Sequence, residues 1–218
     1  MGWGQVKKIV KLKPTKEKSS LYTLVEQDTL QTMVELKSLI QSVRYELRYA
    51  SKHNFTGKRL YPSNTHTTYL RLTPALALAK VAEDLKEKGL GIKIWDAYRP
   101  YRTTVRFWDL IHDERFVANP SKGSGHNRGT AVDLTLVDLK TGKELEMPTP
   151  FDDFSPAAFH GATNMDQVRI NNRELLRTTM EKFGFVRLET EWWHYSWPGA
   201  SSYGVLDLSF KALDTKID

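Results

Sequence analysis

Apolar positions along the chain fall into two long helical stretches and several short β-prone ones. Thr73-Pro74 opens an Ala- and Leu-rich run that ends at Lys88-Gly89. Thr as N-cap, Pro at the first helical position and Gly past the end predict a helix bounded by those signals. A second long helix is predicted from 165 to 183, closed by Gly184, and a shorter one from 103 to 112. Short apolar runs at 90–95 and 131–137 read as strands, the first broken by Asp96-Ala97-Tyr98-Arg99-Pro100. Residues 138–143 read as a hairpin loop before a weak strand at 144–147. The aromatic segments 185–188 and 192–197 are β-prone, and Pro198-Gly199 stops the second. Residues 48–60 contain Asn54-Phe55-Thr56-Gly57 and read as a turn-rich loop. Residues 6–12 suit a short strand or an arm ended by Pro14, and the mixed spacing over 28–45 leaves its type open. Helices come first and closely spaced strands later. That order predicts an α+β domain with a central antiparallel sheet flanked by helices, rather than a doubly wound α/β fold.

Composition narrows the function classes. A chain of 218 residues suits one domain with a well-buried core. No apolar run approaches the roughly 20 residues of a membrane span. Residues 1–20 lack the apolar h-region of a signal peptide, so a cytoplasmic protein is expected, or a periplasmic one if a leader has been removed. The first 20 residues carry six lysines against Glu17, which accounts for +5 of the net +6. The body is almost neutral, so the basic pI marks a solvated arm and no nucleic-acid partner is expected. There is no Cys. Any zinc must therefore be held by His, Asp or Glu.

Two stretches offer such ligands, Ser124-Gly125-His126-Asn127-Arg128-Gly129-Thr130-Ala131-Val132-Asp133 and Glu191-Trp192-Trp193-His194. Glycines around His126 let the backbone bend so that His126 and Asp133 converge. A carboxylate inside the apolar strand Ala131-Val132-Asp133-Leu134 costs several kcal/mol unless paired or coordinated. Against this, His126 can be an ordinary loop histidine and Asp133 a strand-edge acid. His194, among Trp192, Trp193, Tyr195 and Trp197, can equally be a core histidine satisfied by a carbonyl. A separation of three puts Glu191 and His194 on opposite faces of a regular strand. Both reach one site only if Glu191 precedes the strand or a bulge intervenes. Arg99, on a turn straight off a strand, could aim a guanidinium at an oxyanion, or simply pair with Asp96. His53, His66 and His112 read as surface residues, with His160 intermediate.

Together the motifs Asp-Ala-Tyr-Arg-Pro (96–100), Ser-Gly-His-Asn-Arg-Gly-Thr-Ala-Val-Asp-Leu-Thr-Leu (124–136), Phe-Asp-Asp-Phe (151–154) and Glu-Trp-Trp-His (191–194) resemble the zinc D-alanyl-D-alanine dipeptidases. These belong to a wider group of zinc D,D-peptidases. The likeness extends to Arg48-Tyr49, Asn54-Phe55-Thr56-Gly57 and Tyr61 and covers roughly residues 45–200. It implies a zinc site on the sheet, with one Zn2+ per chain held by His126, Asp133 and His194. It further implies Glu191 as general base, Arg99 as holder of the carbonyl oxygen and its oxyanion, and Ser124 and Asp152 as substrate contacts, Asp152 toward the dipeptide's free ammonium. The implied activity is hydrolysis of D-Ala-D-Ala in cell-wall precursor turnover, by a catalytic domain at 21–218 behind a basic arm at 1–20. The alternatives are a related D,D-carboxypeptidase or endopeptidase on longer peptides, and a non-catalytic zinc module that binds a peptide, for which Glu191 and Arg99 would be superfluous.

Overall fold

The helix Leu72–Lys86 (α3 below) shows how the apolar pattern becomes architecture. In the computed structural model, which describes residues 12–114 and 117–214, its buried residues Ala75, Leu78, Val81, Ala82 and Leu85 form one stripe. Among the described residues the α-helices and strands run α1 (Lys18–Gln27), β1 (Met33–Glu35), α2 (Leu36–Leu39), β2 (Arg44–Tyr45), β3 (Tyr69–Arg71), α3 (Leu72–Lys86), β4 (Leu90–Asp96), α4 (Tyr101–Ile111), α5 (Gly125–Arg128), β5 (Ala131–Asp138), α6 (Gln167–Lys182), β6 (Val186–Leu188), β7 (Glu191–Ser196) and α7 (Phe210–Asp214). The α+β class stands. The cap of α3 is Arg71, the last residue of β3, and not Thr73. Pro74 fits inside the first turn because the N–H groups there have no intrahelical acceptor.

Five strands form the central sheet in the order β2-β4-β5-β7-β6, and β1 and β3 form a separate two-stranded ribbon. The sheet is mixed rather than antiparallel throughout, because β2 pairs parallel with β4. The chain crosses between them through α3, and a helical crossover returns a strand in the same direction. The remaining pairs are antiparallel. The expected strand at 144–147 is reduced to a bridge between Val137 and Glu144. The open segment 28–45 proves composite, with short helical and extended pieces in succession.

Alternation along β5 separates the two faces. Val132, Leu134 and Leu136 join the core formed with α3 and α6, while Asp133 lines the cavity described below. A second, aromatic cluster that includes Tyr49, Tyr61, Tyr98, Phe107 and Phe210 lies outside that core. Residues 6–11 of the expected N-terminal strand or arm lie outside the described residues. Helix α1 runs across residue 20, and Thr15 is bonded to the body through the Val205 carbonyl and the Asp207 N–H, both at 2.8 Å. No described helix is long and apolar enough to cross a membrane.

Candidate metal centre and active site

The loop that carries His126 is a single helical turn closed at both ends by its own sequence. Ser124 Oγ accepts the Asn127 N–H at 3.2 Å, and Asn127 Oδ1 accepts the Ser124 N–H at 3.0 Å, a reciprocal cap. Gly129 ends the turn at φ +70°, a left-handed conformation that glycine adopts without a Cβ penalty. A Cβ on Gly125 would lie 2.8 Å from the Cβ of Ala131, so only glycine lets the turn approach β5 this closely. The loop is then fastened to the turn after β4. Asn127 Nδ2 donates to the Arg99 carbonyl (2.8 Å) and to Thr104 Oγ1 (2.9 Å), and the Arg99 N–H donates to the His126 carbonyl.

Asp133 and His194 are direct cross-strand partners in the β5–β7 ladder. Cross-strand partners share a face of the sheet. His194 Nδ1 lies 2.8 Å from Asp133 Oδ1, His126 Nε2 lies 3.4 Å from Asp133 Oδ2, and the two nitrogens are 3.3 Å apart. His126 Nδ1 lies 2.7 Å from the Ala97 carbonyl, which fixes the ring with Nε2 toward the cluster. The three residues offer one ligand atom each within 4.8 Å of one another. Tetrahedral ligands about 2.0–2.1 Å from a zinc sit roughly 3.3 Å apart. Two imidazole nitrogens and a carboxylate oxygen at these separations fit one zinc ion. Burial opposes ionisation of Asp133, but His126 and His194 outweigh it and hold its carboxyl well below the usual range. Burial disfavours a charged His194, yet Asp133 outweighs that and raises its pKa.

The geometric demand on Glu191 is met by an irregularity in β7. Pairing with β6 steps from Arg187↔Tyr195 to Leu188↔Glu191 instead of reaching His194. This break lets Glu191 and His194 line one cavity despite their spacing. Burial is the main influence raising the pKa of Glu191, with the nearby Asp133 adding to it and His194 opposing it. Arg99 enters the same cavity from the turn after β4, its guanidinium 5.3 Å from the ring centre of Tyr49 and 4.7 Å from that of Phe107. It also pairs with Asp96, so a place on the cavity wall and an acidic partner are compatible.

The cavity measures about 690 Å³ and brings together Arg99, Ser124, His126, Asp133, Asp152, Glu191 and His194. Tyr49, Phe55, Phe107, Phe154 and Trp193 supply much of its apolar wall. Asp152 sits at φ +64°, an uncommon conformation outside glycine that is associated with functional sites. Its carboxylate accepts the Tyr49 hydroxyl at 3.1 Å. Burial first, then the charge of Asp133, push its pKa up to about 8. Sequence reasoning weighed Asp96 only as an alternative partner for Arg99 and gave no role to Tyr49 or Asn127. A signal was present for Asp96 as the acid three residues before Arg99. For Asn127 it was the repeat of a capping residue three positions after Ser124.

The profile of the D-ala-D-ala dipeptidase family of peptidases matches residues 29–213. The D-alanyl-D-alanine dipeptidase of Escherichia coli K12 is 35% identical over 174 residues, 80% of this chain and 89% of that protein. Its counterpart in Enterococcus faecium is 33% identical over 178 residues, 73% of this chain and 88% of that protein. That of Streptomyces coelicolor is 35% identical over 179 residues, 72% and 87% of the two chains. With the profile spanning most of the described residues and three relatives aligned over nearly their whole length, this chain belongs to the D-alanyl-D-alanine dipeptidase family of metallopeptidases.

Proposed function

We propose that the chain hydrolyses D-alanyl-D-alanine to two molecules of D-alanine, with one zinc held by His126, Asp133 and His194. The observation that carries the proposal is the single cavity in which these donors face Glu191, Arg99, Ser124 and Asp152. When bound, zinc supplies the Lewis acidity that makes water a nucleophile near neutral pH.

The protein's own groups supply the rest. Glu191, on the cavity wall, takes the proton of the attacking water and returns it to the leaving amine, a role typically worth 10²–10⁴ in rate. Arg99 donates to the carbonyl oxygen as negative charge builds on it, in a site walled by aromatic rings where such stabilisation is strongest. Asp152 receives the ammonium of the first residue. Its raised pKa reflects burial beside other anions, and an incoming cation offsets that cost. Ser124 Oγ uses its lone pairs on the Asn127 N–H, so its O–H remains to donate to substrate. The test is D-alanine release by purified, zinc-loaded protein, with D-Ala-D-Ala and a muramyl pentapeptide compared at equal concentration. Preference for the dipeptide supports the proposal. Turnover of the pentapeptide alone makes the chain a carboxypeptidase, and inertness toward both from folded, metal-replete protein overturns it.

A further inference from the structure

Arg99 reaches the cavity with only part of its guanidinium free. Asp96 Oδ2 accepts the Nε–H at 2.9 Å and lies 2.8 Å from Nη2 in an ion pair. The other oxygen, Oδ1, accepts the Tyr61 hydroxyl at 2.6 Å. Tyr61 is itself wedged edge-on against Tyr49 and Phe210, with ring centres 5.7 and 4.9 Å away. Asp96 is wholly buried, and it sits where the β4–β5 register shifts. A guanidinium has five N–H donors in a rigid fork. With the Nε–Nη2 edge set against Asp96 and Tyr49 and Phe107 lying against the guanidinium, Nη1 lies on the edge away from Asp96.

We infer that Asp96, braced by Tyr61, is a positioning residue for the reaction: it holds the Nε–Nη2 edge of Arg99 so that the opposite, Nη1 edge is presented to the developing oxyanion. The inference rests on the dipeptidase reading above. Asp96 is not one of the three clustered candidate ligands. Its Oδ2 is 3.7 Å from His126 Nδ1, and that nitrogen already faces the Ala97 carbonyl. Its action therefore runs through Arg99, and a carboxylate serves better than a neutral amide because a charge-assisted hydrogen bond is roughly twice as strong as a neutral one.

A double-mutant cycle tests this. Asp96→Asn should lower kcat about 10²-fold with KM changed by less than about threefold, the pattern of an interaction realised only in the transition state. Its zinc content should equal that of the wild type, and a phosphinate analogue of the tetrahedral intermediate should bind about 10²-fold more weakly by calorimetry. In an Arg99→Gln background, Asp96→Asn should cost less than about threefold more. Tyr61→Phe, which leaves both charges in place, should show the same dependence on Arg99 with a smaller loss, and it replaces Asp96→Asn if that variant does not fold. Equal losses with and without Arg99, or loss of zinc, would overturn the inference. A wild-type protein inert toward D-Ala-D-Ala would refute the dipeptidase reading, whereas an active wild type with an additive cycle would refute only the role of Asp96.

Discussion

Replacing Asn127 by Ala removes three side-chain hydrogen bonds from a residue with no solvent exposure. These are the acceptor for the Ser124 N–H and the donors to the Arg99 carbonyl and Thr104 Oγ1, at 3.0, 2.8 and 2.9 Å. A net hydrogen bond contributes about 1 kcal/mol, and a buried partner left behind adds a desolvation cost. The expected loss is about 3 kcal/mol, a large share of a stability of roughly 5–15 kcal/mol. Urea denaturation of the zinc-free protein measures it. The same truncation cuts the loop of His126 from the turn of Arg99, so zinc affinity in chelator competition should fall about 10-fold or more, the scale on which supports behind metal ligands act. Asn127→Asp is the control. It keeps the acceptor for Ser124 but sets an oxygen against the Arg99 carbonyl, so it should recover none of the lost stability. A loss below about 1 kcal/mol, or full recovery by Asp, would refute the assignment of Asn127 as the clasp between the two loops.

Glu191→Gln should retain zinc and lose about 10²–10⁴ of kcat; loss of the metal in that variant would make Glu191 a ligand instead. Gly125→Ala must force apart a 2.8 Å contact with Ala131, at an expected cost of about 1–3 kcal/mol in thermal or urea unfolding. Gly161→Ala, with nothing within 4 Å, should stay within about 0.5 kcal/mol, and equal effects would contradict the packing argument. Burial, aided by Arg187 and Arg173, pulls the His160 pKa down to about 4. The unfolded chain then binds more protons than the folded one between that value and about 6.5. The neutral ring's contribution is therefore complete above pH 6.5 and is lost as pH falls toward 4, by about 3 kcal/mol at most. His160→Phe should flatten the stability profile across that window; an unchanged slope would show that other groups set it.

The site was legible where chemistry conflicts with its surroundings. Asp133 within an apolar strand, and glycines packed around His126, are arrangements that a fold tolerates only for a reason, and the structure brings both residues to His194. Helix α3 was readable because its apolar stripe and flanking signals agree, although strand β3 running straight into it moved the cap to Arg71. What escaped depended on contacts distant in sequence. Parallel pairing of the two-residue β2 leaves almost no local pattern. The register break that brings Glu191 and His194 to one cavity appears only in the pairing of β7 with β6, which the Glu-Trp-Trp-His motif alone does not reveal. The grip of Asp96 on Arg99 became informative only once Tyr61, 35 positions away, was seen to hold the other oxygen.

The most direct test of the account is the zinc content of the purified protein beside that of His126→Ala, Asp133→Ala and His194→Ala, each with D-Ala-D-Ala turnover measured on the same sample. One zinc per chain in the wild type, with metal and turnover falling together in all three folded variants, is the result expected. Full zinc content in any of the three, or turnover that survives removal of the metal, would contradict it.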